Sequence, residues 1–409
     1  MMVQMRSKLS AVLLLVWAGS LAAAPDDLPH EVLLLARFKE RMGQALSQVL
    51  NYTCLETIQR SAQGRSMKAF VPLDSVLLEV STVSNMGGKE LLAWPGARRF
   101  EETDPSSFVS GGLMGTGVFA LFARTIFLSA ATIVEYHGAE DMAGRQVARF
   151  DFRLPEVFSR YHIQANGASA IVGMTGSFWI DPVSLELLRM EVRADKIPGA
   201  LGLSRAVTVI DYARMRIGDS DVLLPQDAKM LLMLLSGEVR RNDIAFSHCH
   251  EYSAESSIRF DMPDSASPIG APPARVDLPA GLGLSIELET AIDAATAQVG
   301  DLLRGHVVND VRRKGMIVVP KGAVVTGRIR GLERLHSQAP AIDLTIEFAE
   351  LEWGHARAEF FGELLSKGSA RQIPGTGLLH MTGPPFHLDP GFRMNWRTLE
   401  PNQGLRKSK

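Results

Sequence analysis

The chain has 409 residues, 46% of them hydrophobic and 22% charged, so it can bury a sizeable core and disorder is not the starting assumption. A formal net charge of -2 argues against a general nucleic-acid surface, which needs clustered lysine and arginine to meet phosphate. The length fits two ordinary domains.

At the N-terminus, Arg6 and Lys8 precede the apolar run Ala11–Ala18, and small residues follow up to Ala24. A basic start, a short apolar run and an A-x-A-like site predict a secretory signal peptide over residues 1–24. The run is shorter than the ~20 residues of a membrane span. Cleavage after Ala24 would leave Pro25 first, so cuts after Ala22 or Ala23 stay open. The expected location is therefore outside the cytoplasm, in a periplasm or the medium. Oxidising conditions there give Cys54 and Cys249 a role. Each sits in a strand-like run, and a disulfide between them would join the first and last strands of a sheet. Two separately buried thiols are the alternative.

After the signal, an apolar stripe over residues 28–50 predicts a helix, with Asp26 or Asp27 to cap it. A strand at 51–61 follows, then paired strands at 76–83 and 90–94, and at 132–137 and 146–152. The stretch Ser177–Arg193 is the clearest hairpin. In it Leu188, Met190 and Val192 alternate with Arg189, Glu191 and Arg193, which places one row in a core and the other in water. Asp181-Pro182 opens its turn. Further strands are read around 161–165, 206–212, 230–235 and 243–252. Residues 25–262 thus predict an α+β fold, a helix against a curved antiparallel sheet. The apolar segment 118–131, broken only by Arg124, reads either as a helix packed on that sheet or as a lid over an apolar cavity. A Pro/Ser/Ala-rich linker at 263–280, a small all-β barrel or sandwich at 281–398 and a basic tail at 399–409 complete the chain.

Catalytic signatures are absent from the sequence. His30-Glu31 lacks the second histidine of a zinc-protease motif, and no nucleophile elbow or phosphate-binding loop occurs. The glycine-rich run Gly111–Gly117 lacks the lysine that would meet a phosphate. His248 and His250 are half a zinc site without a third ligand. Glu287 and Glu289 share a strand face with no histidine or cysteine in a recognisable order, which predicts a solvated face. No enzyme, cofactor or metal is expected. The candidate ligand face consists of Phe150, Phe152, Phe178, Ile180, Leu188, Met190 and Val192, and packing against helix 28–50 is the other use of those side chains.

The exported chain, the N-terminal helix and the meander carrying Phe178-Trp-Ile-Asp-Pro-Val-Ser-Leu-Glu-Leu-Leu-Arg189 resemble the LolA/LolB-type lipoprotein carriers over residues 28–262. That resemblance implies a half-open β-barrel whose concave face binds acyl chains. Residues 276–398 resemble the C-terminal β-barrel of the TrbI-type subunit of conjugation and type IV secretion. They carry Leu284–Asp293, Val299-Gly-Asp, Val307–Val311 and Ile317–Gly327 in that family's order. Together these imply a non-catalytic envelope protein whose ligand is a lipid or an acylated protein, with peripheral membrane contact allowed. The second reading is a periplasmic scaffold with a filled core that docks an envelope partner through the C-terminal barrel.

Overall fold

The computed structural model describes residues 28–47, 52–83, 89–97, 100, 108, 119–165, 167–251, 274–335, 340–365, 374–384 and 386–400. The signal segment, Asp26 and Asp27, the run Gly111–Gly117 and residues 401–409 of the basic tail lie outside them. Helix α1 spans His30–Ser47 and begins after Pro29, whose carbonyl accepts from the Val32 and Leu33 amides. Helix α2 spans Phe119–Phe127. Among the described residues no helix is long and apolar enough to cross a membrane.

The first sheet contains β1 (Tyr52–Gln63), β2 (Val71–Val83), β3 (Lys89–Ala93), β4 (Ile133–Met142), β5 (Arg145–Leu154) and β6 (Tyr161–Ala165). It continues with β7 (Ala168–Ile180), β8 (Leu187–Asp195), β9 (Leu203–Ile217), β10 (Ser220–Leu234) and β11 (Val239–Glu251). The order is β3-β2-β1-β11-β10-β9-β8-β7-β5-β4, with β6 paired to β7 alone. All these pairs are antiparallel, and most follow chain order as hairpins. β5 on β7 skips β6, and β1 on β11 brings the two ends of the meander together. The Cys54–Cys249 disulfide crosses that seam. The sheet curls into a half-barrel, and α1 and α2 lie in its concavity.

Register explains the core. Reading across the sheet, Val76, Ile58, Ile244, Ala228, Ile210, Met190, Phe178 and Phe150 are successive cross-strand partners. Every one is buried. Side chains directly opposite in a ladder lie on the same face, so this row forms a continuous apolar hoop around the concave side. The convex side is wet, as the alternation predicts. There Arg149 donates to Glu140 and Asp151, the Trp179 ring N–H donates to Glu140, and the Ser177 hydroxyl donates to Asp151.

The second sheet uses β12 (Ala274–Arg275), β13 (Gly283–Leu288), β14 (Ile292–Asp293), β15 (Leu302–Val307), β16 (Val311–Arg313) and β17 (Met316–Val319). Then come β18 (Val324–Leu335), β19 (Ala341–Trp353), β20 (Ala356–Glu359), β21 (Gly362–Leu364), β22 (Gly377–Thr382), β23 (His387–Leu388) and β24 (Arg393–Thr398). Its main path is β12-β20-β19-β18-β15-β13-β24-β21, with β22 also on β19 and two small ribbons, β14-β23 and β16-β17. Trp396 anchors its interior, edge-on to Phe348 and Phe360 at 5.2 and 5.9 Å. β12 lies inside the stretch expected as linker, because Ala274 and Arg275 pair in parallel with Ala356 and Arg357. Pairing along a sheet edge overrides the local Pro/Ala-rich composition there.

The two sheets are joined at a strand edge. β3 covers β2 only over residues 79–83, which leaves the 75–77 edge open. Val299 fills it. The Leu77 N–H donates to the Val299 carbonyl, and the Val299 N–H donates to the Ser75 carbonyl, both at 2.8 Å. An unpaired strand edge is a template for further pairing, and this contact blocks it. Arg334 reaches across to the Leu73 carbonyl, and Arg328 to the Pro95 carbonyl at 2.9 Å. Trp94 packs between Phe108 and the Arg330 guanidinium, each 4.8 Å from its ring. Gly300, at φ +108°, passes so close that a Cβ there would meet the Leu77 carbonyl oxygen at 2.5 Å.

Candidate functional site

The half-barrel brings six of the seven expected ligand-face residues together. Phe150, Phe178 and Met190 belong to the apolar hoop, and Phe152 and Val192 flank it in the next register row, on either side of Gly176. Gly176 has to be glycine. A Cβ there would lie 1.9 Å from the Glu191 carbonyl and 2.8 Å from the Phe152 ring, which therefore crosses the strand where no side chain stands. Ile180 stands opposite Ala148 and Leu187. All six are buried.

Leu188 is a correction. The β7–β8 register slips between Trp179 and Ile180, so that Arg189 opposes Trp179 while Leu187 opposes Ile180. Leu188 is the extra residue of this bulge. It is only partly buried, and Leu187 takes the inward position. Strict alternation from Leu188 to Val192 concealed the slip, because one inserted residue exchanges the two faces.

The concave face is occupied by the protein's own helices. α1 buries one stripe, Leu34, Phe38, Met42 and Leu46, one side chain per turn. The Phe38 ring stacks on Phe178 at 5.5 Å, and Phe150 stacks on Phe178 at 5.3 Å. From α2, Phe127 meets Phe38 and Phe178 edge-on at 5.1 and 5.0 Å, and Phe122 meets Tyr161 at 5.0 Å. Burial under this cluster pushes the Tyr161 phenol up to about 12. Arg124, the one charge in the second apolar segment, donates to the Leu46 carbonyl at 2.6 Å. A cation at a helix C-terminus satisfies an orphan carbonyl and complements the dipole. Arg124 therefore ties the two helices to each other.

At one rim the cover is incomplete. A cleft of about 570 Å3 runs between the C-terminal half of α1 and the β9–β10 hairpin. Ala45, Tyr52, Val222, Leu223 and Leu224 give it apolar walls, and Arg41, Gln44 and Arg214 stand at its edge. Arg214 is held by Glu186 at 2.6 Å and Asp221 at 3.2 Å. The volume lies in the range of small-molecule sites. A second hollow, about 490 Å3, lies on the convex side and is lined by charged residues that pair with one another, including Arg189 with Asp211 and Lys229 with Asp243.

Inward-facing polar groups on β1 escaped the sequence reading. Glu56 is fully buried, in register with Leu78 and Phe246, and Arg60 forms a buried ion pair with Asp74. The signal was present as the alternating series Cys54, Glu56, Ile58, Arg60. Glu287 and Glu289 do share a face, and it is solvated as expected, with a histidine beside it that sequence order did not show. The His306 ring lies 3.0 Å from Glu289 and 3.8 Å from Glu287. That histidine comes from the neighbouring strand β15, which spacing in the sequence could not reveal. The group is solvent-facing, and Arg393, the strongest influence, holds Glu287 below its ordinary pKa. His248 is a bulge residue at φ 51°, so the strand's alternation is broken between Ser247 and His250. Cys249 beside it is in the disulfide and has no thiolate to offer a metal.

No protein-family model matches the chain, and no curated protein does. Among solved structures, it is similar to a domain from Vibrio parahaemolyticus named for outer-membrane lipoprotein sorting, at 14% identity over 56% of this chain and 96% of that one, with a TM-score of 0.29. A DUF1329-family protein from Desulfovibrio piger has 14% identity over 55% and 95% of the two chains, with a TM-score of 0.29. A LolA-superfamily protein from Nitrosomonas europaea has 11% identity over 54% and 94%, again with a TM-score of 0.29.

Proposed function

We propose that this is an exported, non-catalytic carrier that holds an apolar ligand, a lipid or an acylated protein, between α1 and the half-barrel. The observation that carries this reading is the continuous apolar hoop roofed by two short helices of the same chain, with an open cleft along one of them. α1 rests on a single stripe of side chains. An acyl chain entering at Leu223 and Leu224 would replace helix-to-sheet contacts with chain-to-sheet contacts of similar apolar area. That exchange costs little in burial, at ~25 cal/mol per Å2 on either side of it. The disulfide is consistent with export.

A filled-core scaffold is the second reading, and one observation favours it. Phe38 and Phe127 already occupy the space over Phe178. In that case the sheet of β12–β24 would dock an envelope partner.

Native mass spectrometry of protein purified without detergent, followed by organic extraction, separates the two. The carrier reading expects an adduct of lipid mass, or uptake of added phospholipid or fatty acid. Leu223→Trp and Ala45→Trp, which fill the cleft, should abolish uptake and leave Tm unchanged. A clean apo mass with no uptake by the parent protein would overturn the carrier and leave the scaffold as the reading to pursue.

A further inference from the structure

We propose that the rim of the half-barrel opposite the cleft docks on a lipid bilayer bearing anionic headgroups. Four turns meet there: 64–70, 155–160, 196–202 and 235–238. They form one continuous surface. A Cβ at Gly237 would lie 3.4 Å from the Arg65 side chain, and the Leu235 N–H donates to the Gly202 carbonyl at 2.8 Å. A Cβ at Gly173 would lie 3.3 Å from both Asp195 and the Glu156 amide, which connects the remaining two turns.

The tips of this surface are apolar and turned outward. Val157 is 82% exposed, Phe158 58% and Leu235 64%, with Met67 beside them at 46%. Large apolar side chains gathered on adjoining turns of one rim mark it as a contact surface. Around them stand Arg65, Lys68, Arg160, Lys196 and Arg205, all exposed. None of the five has an ion-pair partner among the described residues. Glu156 is the exposed carboxylate of these turns, since Glu238 is half-buried and held by Arg240, and Asp195 is half-buried beside Arg153.

The opposite rim differs in charge: it exposes Asp141, Asp219, Asp221 and Glu251, and its Arg145 and Arg214 are paired with Asp181 and with Glu186 and Asp221. A chain of net charge -2 has thus gathered unpaired cations around apolar tips at one end. Apolar tips that enter the headgroup boundary, ringed by cations that meet anionic lipid, are the chemistry of interfacial binding. A protein partner of matching charge would be expected to offer pockets to specific side chains, whereas these tips stand apart on different turns. Docking by this rim leaves the cleft uncovered.

The test is flotation of the purified protein with vesicles of phosphatidylcholine, either alone or with about 30% phosphatidylglycerol. The expected result is at least about tenfold stronger binding to the anionic vesicles, lost at high salt. The double variants Val157→Ser/Phe158→Ser and Lys196→Glu/Arg205→Glu should each weaken it by about tenfold or more. Phe158→Trp in the otherwise unchanged protein should shift its added tryptophan emission to shorter wavelength on vesicle addition, a readout that survives if a double variant fails to fold. Equal binding to both vesicle types, unaltered binding by the variants, or an emission shift driven by protein concentration instead of lipid would overturn the proposal. The last outcome would assign the rim to a second copy of the chain.

Discussion

The sheet of β1–β11 and the sheet of β12–β24 are both antiparallel, but their interiors are filled from different sources. The half-barrel is closed by α1 and α2, whose Phe38 and Phe127 lie on its apolar hoop at Phe178 and whose Phe122 meets Tyr161. The second sheet folds over its own side chains, with Trp396 wedged against Phe348 and Phe360. A core made by separate elements can exchange one of them for a ligand. A core made by the sheet itself cannot do so without unfolding. Topology also separates the two: the half-barrel's first and last strands must find each other across nearly the whole meander, and the Cys54–Cys249 bond, spanning 195 residues, secures them.

The most direct way to break the comparison is to remove that bond. Replacing both cysteines by alanine should cost the half-barrel about 5 kcal/mol on the chain-entropy account. Calorimetry should show its transition moving down strongly. The transition of the β12–β24 sheet should move less, through the shared edge at Val299.

Next in size is a matched pair of core deletions. Phe38→Ala and Trp396→Ala should each cost about 3–5 kcal/mol in Tm-based stability. The proposed difference lies in rescue. Saturating fatty acid should restore much of the Phe38→Ala loss, because a ligand that binds only the folded state stabilises it. It should restore none of the Trp396→Ala loss. Equal rescue of both variants would erase the distinction between the two interiors.

The smallest effect concerns pH, and it has opposite signs in the two regions. Burial pushes the Asp181 carboxyl up, but the Ser184 and Val183 amides and Arg145 outweigh it and hold the group below its ordinary 3.8. A lowered folded pKa means that Asp181 stabilises the half-barrel above pH 3.8, and that this is lost as pH falls through the folded value. Asp301 is raised above 3.8, chiefly by burial, against the opposing amide of Gln298. It therefore disfavours the native state as pH rises above 3.8, and acidification relieves it. At neutral pH, Asp181→Ala should destabilise the half-barrel by about 1 kcal/mol, and Asp301→Asn should be neutral or stabilising. Thermal scans from pH 3 to 7 on both variants should show slopes altered in opposite directions.

Much of the fold was legible because the relevant signals are local. Alternation along Ala148–Phe152 and Phe178–Ile180 reports which side chains share a face, and Asp181-Pro182 specifies its own turn through the Val183 amide. Helix α1 follows from a stripe at i, i+4 spacing. The candidate site was legible as a face and illegible as a space. Nothing in the sequence says that Phe38 stacks on Phe178, or that the open volume lies beside Leu223 and not over Phe150. Arg124 looked like an interruption in an apolar helix, and its purpose depends on a carbonyl 78 residues away.

The sequence by itself determined the antiparallel alternation, the helix stripe, the turn chemistry, and a cysteine in each of the two runs that became the first and last strands of the first sheet. These are properties of neighbouring residues, set by backbone periods of 2 and 3.6. Tertiary structure alone decided the bulge that exchanged Leu188 for Leu187, the pairing of His306 with Glu289, and the docking of Val299 on the β2 edge. It also gathered unpaired cations and apolar tips on one rim. Each of these depends on register or on loops brought together from distant parts of the chain, and register is fixed by the packing of the whole sheet and not by any single strand.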